Sequence, residues 1–339
     1  MLTKDILVHI ATAVTLREGS EGVRTFLRQV YLNQGISTKA CSKNIRLPLP
    51  ITAALKKEAI KANLIVDGAT MKLTEQGVEF CEKVLGIKQQ TELVCPRCSG
   101  LRYVIPQEFQ QVMERLKLYL SMRPQVDVTL DQAHGKPITA LRRAVLALEK
   151  DAFFNREIAL FGDDDLVSVA LMLVWKLIYA DQKSPKITVF DIDERLLDYI
   201  ESIADELEIE INTVFYDAKN AIATEHLNKF EVAFTDPPYT TEGAKLFLTR
   251  VKQLLKTQVN LPVFFSYGQK SPQDNHAVIR VLTELGFAIE ELIPNFNEYE
   301  GAAILGGVGQ MMVLKNALTT SPKLQEFKGL IYTKEVKEK

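Results

Sequence analysis

Asp236-Pro237-Pro238-Tyr239 is the segment of this sequence whose residue types best suit chemistry on nitrogen. It follows the apolar run Glu231–Thr235, which predicts a buried strand. Two consecutive prolines end strand pairing and stiffen the turn. The turn offers a carboxylate and backbone carbonyls that accept hydrogen bonds from an amine, and an aromatic ring that packs on its carbon neighbours. The segment therefore predicts that Asp236, the Pro237 carbonyl and Tyr239 contact an amine nitrogen.

Three consecutive acids form a second candidate site. The segment Gly162–Asp165 reads Gly-Asp-Asp-Asp and follows the predicted first strand, Glu157–Phe161. Ligands of open α/β sheets bind near such turns, which usually carry several glycines so that the backbone can approach an anion. One glycine and three acids instead favour a ligand that ends in an ammonium group and repel one that ends in a carboxylate. Helix capping is the alternative, and it accounts for one aspartate but not for three.

Two further aspartates follow the second and third predicted strands. Asp191 ends the second strand, where a carboxylate binds ribose hydroxyls in folds of this type. The alternative is a solvated Asp191 beside an Asp193 that caps the next helix. Asp217 follows the third strand, in the turn that contacts adenine, and helix capping is an equally good interpretation.

The elements that must position these turns follow from the hydrophobic pattern. From residue 157 onward, strand and helix patterns alternate, with a helix predicted at 219–227 and a closing hairpin of strands at 287–293 and 310–314. This order predicts a doubly wound, Rossmann-like α/β sheet. The predicted domains are a winged-helix-like domain of helices and one hairpin, a connector, the catalytic domain and a mobile C-terminal tail, at residues 1–88, 89–138, 139–320 and 321–339.

The connector contains a cysteine knuckle, Cys95-Pro-Arg-Cys98. A structural zinc ion needs four ligands, and the sequence has no second pair with this spacing. We interpret the knuckle as a turn without metal. The alternative is a zinc site that Cys41, Cys81 or a second chain completes.

Composition and charge restrict the function further. Hydrophobic residues make up 47% and charged residues 25% of the 339 residues, as in ordinary globular proteins. No secretion signal or membrane-spanning stretch is recognisable, so we expect a cytoplasmic protein without membrane association. Residues 1–130 carry 18 Lys and Arg against 12 Asp and Glu, and the remainder carries 23 against 31. The acidic part suits cationic ligands, and the modest basic excess of the first part argues against a nucleic-acid partner.

Taken together, the acid loop after the first strand, the Asp236–Tyr239 turn after the fourth and the helical N-terminal part resemble the branched-chain polyamine synthases, the N4-bis(aminopropyl)spermidine synthase family. The resemblance covers essentially the whole chain, and Gly162–Asp165 is its specific part. Asp236–Tyr239 alone is also similar to the motif of S-adenosylmethionine-dependent amino-methyltransferases of DNA and RNA. The resemblance therefore implies a methyltransferase-type sheet.

The family resemblance implies an activity. It implies aminopropyl transfer from decarboxylated S-adenosylmethionine to the secondary amine of spermidine, with release of methylthioadenosine. A second transfer to the same nitrogen would give a quaternary ammonium. The resemblance also implies a homodimer and a C-terminal segment that is mobile near the site.

Residue roles follow from the same resemblance together with the patterns above. The family's catalytic acid lies in the acid loop, and we place it on Asp164. The predicted catalytic residues are Asp164, Asp236 and Tyr239. The predicted donor-binding residues are Gly162, Asp163, Asp165, Asp191, Asp217 and Pro237. The predicted polyamine-binding residues are Asp163, Asp164, Asp236, Glu298 and Glu300, although hairpin formation is the alternative for the last two.

Two other functions compete with this prediction. A nucleic-acid amino-methyltransferase would use the Asp236–Tyr239 turn on a base, but the acid loop would repel phosphates and the carboxylate of S-adenosylmethionine. A transcription regulator would bind DNA through the winged helix, but the N-terminal part has few arginine clusters.

Overall fold

The structure of this protein is a computed structural model that describes residues 5–87, 98, 100–101, 104–300, 307–323 and 325–333. The chain divides into two compact units, one built mainly from the residues up to Gly100 and the other mainly from Leu101 onward. Nearly all of the sheet and all of the predicted catalytic, donor-binding and polyamine-binding residues belong to the second unit. In the described ranges, no helix is both long and apolar enough to cross a membrane.

The first unit is helical, with one short antiparallel hairpin. Side chains cap two of its helices, since Ser37 accepts the N–H of Ala40 and Thr74 accepts the N–H of Gly77. The hairpin is held by the bridge between Ile65 and Leu73. Its helices are α1 (Asp5–Ala13), α2 (Gly19–Leu32), α3 (Thr38–Ile45), α4 (Leu49–Lys61) and α5 (Glu75–Glu79). Helices and hairpin follow the predicted order, and the assignment as a winged helix stays a prediction.

The second unit is a seven-stranded sheet with helices on both faces. Its helices are α6 (Gln110–Met122), α7 (Pro137–Glu149), α8 (Val167–Ile178), α9 (Glu194–Glu206), α10 (Thr241–Leu254) and α11 (Pro272–Glu284). Its strands are β1 (Glu157–Phe161), β2 (Lys186–Asp191), β3 (Asn212–Phe215), β4 (Val232–Thr235), β5 (Pro262–Gly268), β6 (Phe287–Glu298) and β7 (Val308–Asn316). The strand order is β3-β2-β1-β4-β5-β7-β6, with β1 to β5 parallel and β7 antiparallel to β5. The predicted doubly wound sheet is confirmed.

The register of the central strands brings the site segments together. Phe161 at the end of β1 pairs with Phe190 of β2 on one side and with Thr235 of β4 on the other. The three strands therefore end at the same level of the sheet. The acid loop, Asp191 and Asp236 consequently begin at one edge, where ligands of doubly wound sheets bind.

The core lies on both faces of the sheet. Along β1, Ile158 and Leu160 face one hydrophobic cluster, whereas Ala159 and Phe161 face the other. This alternation is the two-residue period of a strand buried on both sides. Helix α6 packs in the first cluster through residues such as Leu116, although the sequence assigned this helix to a connector.

The helix predicted at 219–227 is wrong. Only the short 3-10 segment Thr224–His226 forms there. The preceding carbonyls bond elsewhere, because Ala218 accepts the Nε–H of Arg250 and Lys219 accepts the N–H of Phe327. These carbonyls are therefore not available for helical hydrogen bonds.

The described part of the C-terminal tail is anchored to the second unit. Ile331 is fully buried, and its carbonyl accepts the hydroxyl of Thr240 at 2.6 Å. Thr333 donates its N–H and its hydroxyl to the Asp131 carboxylate at 2.7 and 2.9 Å. These contacts bring the tail beside the site, and its mobility stays a prediction.

Candidate active site

An open cavity lies at the carboxyl edge of β1, β2 and β4. Aromatic rings and carboxylates dominate its wall. The rings belong to Phe161, Phe190, Tyr216, Tyr239, Phe247, Tyr299 and Tyr332, and the carboxylates to Asp131, Asp164, Asp191 and Asp236. This combination suits an organic cation, which carboxylates neutralise and aromatic faces attract.

Two acids of the loop after β1 have structural contacts. Asp163 is only 2% exposed, and its carboxylate accepts the N–H groups of Val167 and Ser168 at 2.7 and 3.1 Å. Asp163 thus caps α8, as in the alternative interpretation. Asp165 is equally buried and forms an ion pair with Arg143 at 2.9 Å. Both side chains are therefore held away from the direct ammonium contact that the sequence predicted.

The third acid, Asp164, lines the cavity. Its carboxylate accepts the N–H of Ala133 at 3.0 Å, which fixes its orientation. Burial, followed by the charges of Asp165, Asp236 and Asp191, raises the pKa of Asp164 well above the ordinary aspartate range. It therefore binds a proton at a pH where an ordinary aspartate has lost it. A carboxylate with a raised pKa is a stronger proton acceptor than an ordinary aspartate, which suits a general base.

Asp236 is held by three donors on one oxygen. Its Oδ2 accepts hydrogen bonds from Arg143 Nη2 at 2.9 Å, Ser266 Oγ at 3.0 Å and the Tyr299 hydroxyl at 2.9 Å. Among the residues that the structure describes, no donor bonds to Oδ1. Asp236 lines the cavity, and its Oδ1 keeps its acceptor capacity for a bound amine.

Tyr239 continues this network. Its hydroxyl donates to the Tyr299 hydroxyl at 2.8 Å, and its ring packs edge-on against Tyr267 at 5.2 Å. Burial, with the nearby Asp236 charge, raises the pKa of Tyr239 well above its ordinary value. Tyr239 therefore remains a neutral hydroxyl. Pro237, beside it, also lines the cavity.

Asp191 and Gly162 form the wall between β1 and β2. The two carboxylate oxygens of Asp191 accept the N–H groups of Asp163 and Asp193, each at 2.9 Å. A carboxylate has about four acceptor sites, so acceptor capacity remains for a ribose hydroxyl. Asp193 caps α9, as the alternative proposed, but Asp191 is buried rather than solvated. Gly162 has φ +79°, a conformation that glycine adopts without strain.

The side chain of Asp217 forms a hydrogen bond within the turn that follows β3. Its carboxylate accepts the N–H of Lys219 at 2.9 Å, which closes a local turn, and the helix that it would have capped does not form. Its neighbours Tyr216 and Ala218 line the cavity. The adenine contact of this segment stays a prediction.

Glu298 and Glu300 do not line the cavity, although Tyr299 between them does. The Glu298 carboxylate pairs with Lys136 at 3.1 Å and Arg142 at 3.2 Å, and the side chain of Glu300 is 56% exposed. Tyr299, between them, lines the cavity. Side chains of an extended chain alternate, so the segment that points Tyr299 inward points both glutamates away. The structure therefore does not bring the two glutamate side chains, which were predicted to bind the polyamine, to this cavity.

Sequence reasoning missed Arg143. It lies on α7 within a stripe of buried alanines at positions 140, 144 and 147. A lone arginine in the apolar stripe of a helix is rarely buried without a charged partner. That spacing was the available signal. Ser266, Asn297 and Tyr299 carried no comparable pattern.

Asp131 was also missed as a cavity residue. The sequence placed it in a polar connector, yet it lines the cavity and holds the N–H of Thr333. Tyr332, the neighbour of Thr333, is distant from Asp131 in the sequence, yet it lines the same cavity. Only the tertiary contacts bring these segments together.

The cysteines do not form a metal site in the described ranges. Cys41 and Cys81 are buried in the first unit, where burial raises the pKa of each thiol to about 12. Cys95 lies outside the described residues, so the knuckle with Cys98 is not placed. Within the described part of the chain, no cluster of three or more His, Cys, Asp or Glu could hold a metal ion. A zinc site is not supported.

Comparison with known proteins decides the family. The family model for the branched-chain polyamine synthase A C-terminal domain matches residues 111–322. This chain belongs to the branched-chain polyamine synthase family. The N(4)-bis(aminopropyl)spermidine synthase of Thermococcus kodakarensis is 33% identical over 256 residues, covering 74% of this chain and 70% of that protein. An uncharacterized protein of Methanocaldococcus jannaschii is 34% identical over 304 residues, covering 88% of this chain and 75% of that protein.

A solved branched-chain polyamine synthase has the same fold. The crystal structure of the Thermus thermophilus enzyme, in complex with N4-aminopropylspermidine and 5′-methylthioadenosine, has a TM-score of 0.78 at 20% identity. The likeness covers 98% of this chain and 99% of that one. The predicted Rossmann-like, methyltransferase-type fold and the predicted family are both confirmed.

Proposed function

We propose that this protein transfers aminopropyl groups from decarboxylated S-adenosylmethionine to the secondary amine of spermidine. The products would be N4-aminopropylspermidine, N4-bis(aminopropyl)spermidine and methylthioadenosine. The observation that carries the proposal is that Asp164 and Asp236, from two strand ends, line one aromatic cavity. Family members of that synthase name support the same chemistry.

The residues of the cavity fit the donor. The donor supplies an electrophilic carbon next to a sulfonium, and its tail ends in an amine without a carboxylate. Gly162 and the buried Asp191 would hold its ribose side, with the Asp217 turn toward the adenine. Asp163 and Asp165 contribute by fixing the loop, and the negative charge of Asp164 disfavours a carboxylated donor.

Asp164 and Asp236 would divide the work on the acceptor amine. Asp164 takes the proton from the spermidine ammonium, so that nitrogen presents a lone pair. Asp236 Oδ1 accepts an N–H and orients that lone pair. The carbon–nitrogen bond forms as the carbon–sulfur bond breaks, and the sulfur keeps the electron pair. A secondary amine leaves this step as a tertiary ammonium. Asp164 must therefore release its first proton to solvent and accept the proton of this ammonium before a second transfer.

The assay that tests the function compares two donors. With spermidine and decarboxylated S-adenosylmethionine, we expect masses for one and two aminopropyl additions, and no methylation with S-adenosylmethionine. Methylation of DNA or RNA would instead support the amino-methyltransferase alternative. The proposal fails if no polyamine accepts an aminopropyl group.

The ring of Tyr239 is expected to matter most for the second addition. A quaternary nitrogen has no N–H to donate, so charge and aromatic faces alone can stabilise it. Tyr239→Leu should lower the ratio of doubly to singly substituted product, whereas Tyr239→Phe keeps the ring. Loss of a cation–π contact of about 0.5–2 kcal/mol corresponds to roughly 2- to 30-fold.

Mass analysis of the products under single-donor-excess conditions measures this ratio. Tyr239→Phe is the matched control, since it removes only the hydroxyl that donates to Tyr299. Equal ratios in the leucine and phenylalanine variants would exclude a role of the ring.

Assembly and location remain sequence-based proposals. We expect a homodimer, which sedimentation of the purified protein would detect. A cytoplasmic location is likewise expected and testable by fractionation of cells.

A further inference from the structure

One buried guanidinium joins the two motifs of the site. The side chain of Arg143 is 5% exposed. Its Nη1 lies 2.9 Å from Asp165 Oδ2, and its Nη2 lies 2.9 Å from Asp236 Oδ2. Asp165 belongs to the loop after β1 and Asp236 to the turn after β4. Arg143 therefore sets the relative position of these two segments.

The remaining contacts of Arg143 lock its orientation. Its Nε donates to Asn297 Oδ1 at 3.0 Å, and its Nη2 also donates to Ser266 Oγ at 2.9 Å and the Tyr299 hydroxyl at 3.3 Å. A guanidinium is planar and its donors diverge at fixed angles. Because its partners come from β5, the β6 end and both motifs, rotation of the group would break several bonds at once.

Arg143 pairs with Asp165 and Asp236 but not with Asp164, so the three carboxylates have different electrostatic environments. Burial alone would lower the pKa of the guanidinium, but Asp165 and Asp236 raise it, so the group stays cationic. Burial raises the pKa of Asp165 to about 6, and the charge of Arg143 opposes that rise. Asp164 has no ion pair with Arg143 and is repelled by both of the paired carboxylates.

We propose that Arg143 is a positioning residue for aminopropyl transfer. It holds the carboxylates of Asp165 and Asp236 in place as its ion-pair partners, and Asp164 exchanges a proton with the acceptor amine. The inference rests on the proposed function and deepens it. Besides Arg143 and Asp164, the titratable groups around this cluster include Arg123, Asp165, Asp191, Asp236, Tyr239 and Tyr299. Asp131, Tyr216 and Tyr332 line the same cavity.

The test is the pH dependence of kcat and kcat/KM for Arg143→Met and Arg143→Lys. Arg143→Met removes the positive charge that pairs with Asp165 and Asp236, so the acid cluster should take up a proton at higher pH. The acidic limb of its pH–rate profile should therefore move to higher pH, and kcat should fall about 100-fold because the carboxylates are misplaced. Arg143→Lys keeps the positive charge but lacks the planar guanidinium that bonds to both carboxylates. The acidic limb of its pH–rate profile should stay near that of the wild type, and kcat should fall about 10-fold.

The matched control is Arg142→Met, because Arg142 is the next residue of α7 and pairs with Glu298. It should retain the wild-type pH profile and kcat. If Arg143 had a purely structural role, its substitution would lower the melting temperature but would not move the acidic limb of the pH–rate profile of the folded enzyme. Folded Arg143→Met with the wild-type limb and kcat would overturn the proposal.

The two variants keep the proposal testable if one does not fold. Should Arg143→Met fail to fold, wild-type kcat in Arg143→Lys would still refute it, because lysine cannot bridge both carboxylates in the same geometry. Wild-type protein assayed in parallel separates the two hypotheses. Absence of aminopropyl transfer by the wild type refutes the proposed function, whereas an active wild type with unaffected variants refutes only the role of Arg143.

Discussion

Replacing Asp164 with asparagine is expected to lower aminopropyl transfer by about 100- to 10,000-fold, the usual contribution of a positioned general base. Asparagine has the shape of aspartate but cannot accept the proton of the ammonium. Its amide oxygen can still accept the N–H of Ala133, so the loop keeps its hydrogen bond. Single-turnover rates with saturating spermidine would measure the loss. Full activity would remove Asp164 from the mechanism.

The same substitution is expected to stabilise the folded protein at neutral pH. The folded-state pKa of Asp164 is raised, first by burial and then by neighbouring carboxylates. The stabilising contribution of its neutral form is therefore complete below the unfolded pKa of about 4 and is lost as pH rises through the raised folded value. The asparagine variant avoids that loss. Its melting temperature should exceed that of the wild type at pH 8, and the difference should shrink toward pH 5.

Thermal unfolding at the two pH values tests this sign without any substrate. Each kcal/mol corresponds to about 2–4 °C for a domain of roughly 150–250 residues. Asp198→Asn is the matched control, because Asp198 is exposed on α9. It should leave both activity and the pH dependence of stability unchanged. A melting temperature for Asp164→Asn below that of the wild type at pH 8 would contradict the electrostatic account.

Replacing Asp236 with asparagine is expected to have the opposite effect on stability. Asp236 neutralises Arg143, and its Oδ2 also accepts the hydroxyls of Ser266 and Tyr299. Breaking a buried ion pair from one side costs about 3–5 kcal/mol, and the lower end applies because Asp165 still faces Arg143. The melting temperature should fall by roughly 6–12 °C. Activity should fall by about 100-fold, because Oδ1 no longer orients the amine as an anion.

Comparison of Asp164→Asn with Asp236→Asn is the sharpest form of this test. Both changes remove one negative charge from the same cavity and conserve side-chain shape. Only Asp236 has an arginine partner, so only its loss leaves a buried cation with less compensation. An unchanged or raised melting temperature for Asp236→Asn would show that the ion pair with Arg143 does not support the fold.

Local pattern was sufficient for the fold and for the ends of β1 and β4, whereas the strands predicted at 287–293 and 310–314 are longer, at Phe287–Glu298 and Val308–Asn316. Alternating apolar runs predicted β1, β2 and β4, and the prolines at 237 and 238 predicted where β4 ends. The predicted helix at 219–227 failed because Arg250 and the C-terminal tail take its carbonyls. Those partners lie about 30 and 100 residues away in the chain, beyond any local signal.

The sequence by itself determined the chemistry of this protein: an aspartate-rich loop and an Asp-Pro-Pro-Tyr turn at neighbouring strand ends, suited to a cationic donor and an amine. Only the tertiary structure decided which acid does what. Asp163 caps a helix, Asp165 pairs with Arg143 and Asp164 faces the cavity, although the three are adjacent and identical in type. The reason is physical. The role of a carboxylate depends on the donors and charges around it, and Ala133, Arg143 and Tyr299 reach the site from distant segments of the chain.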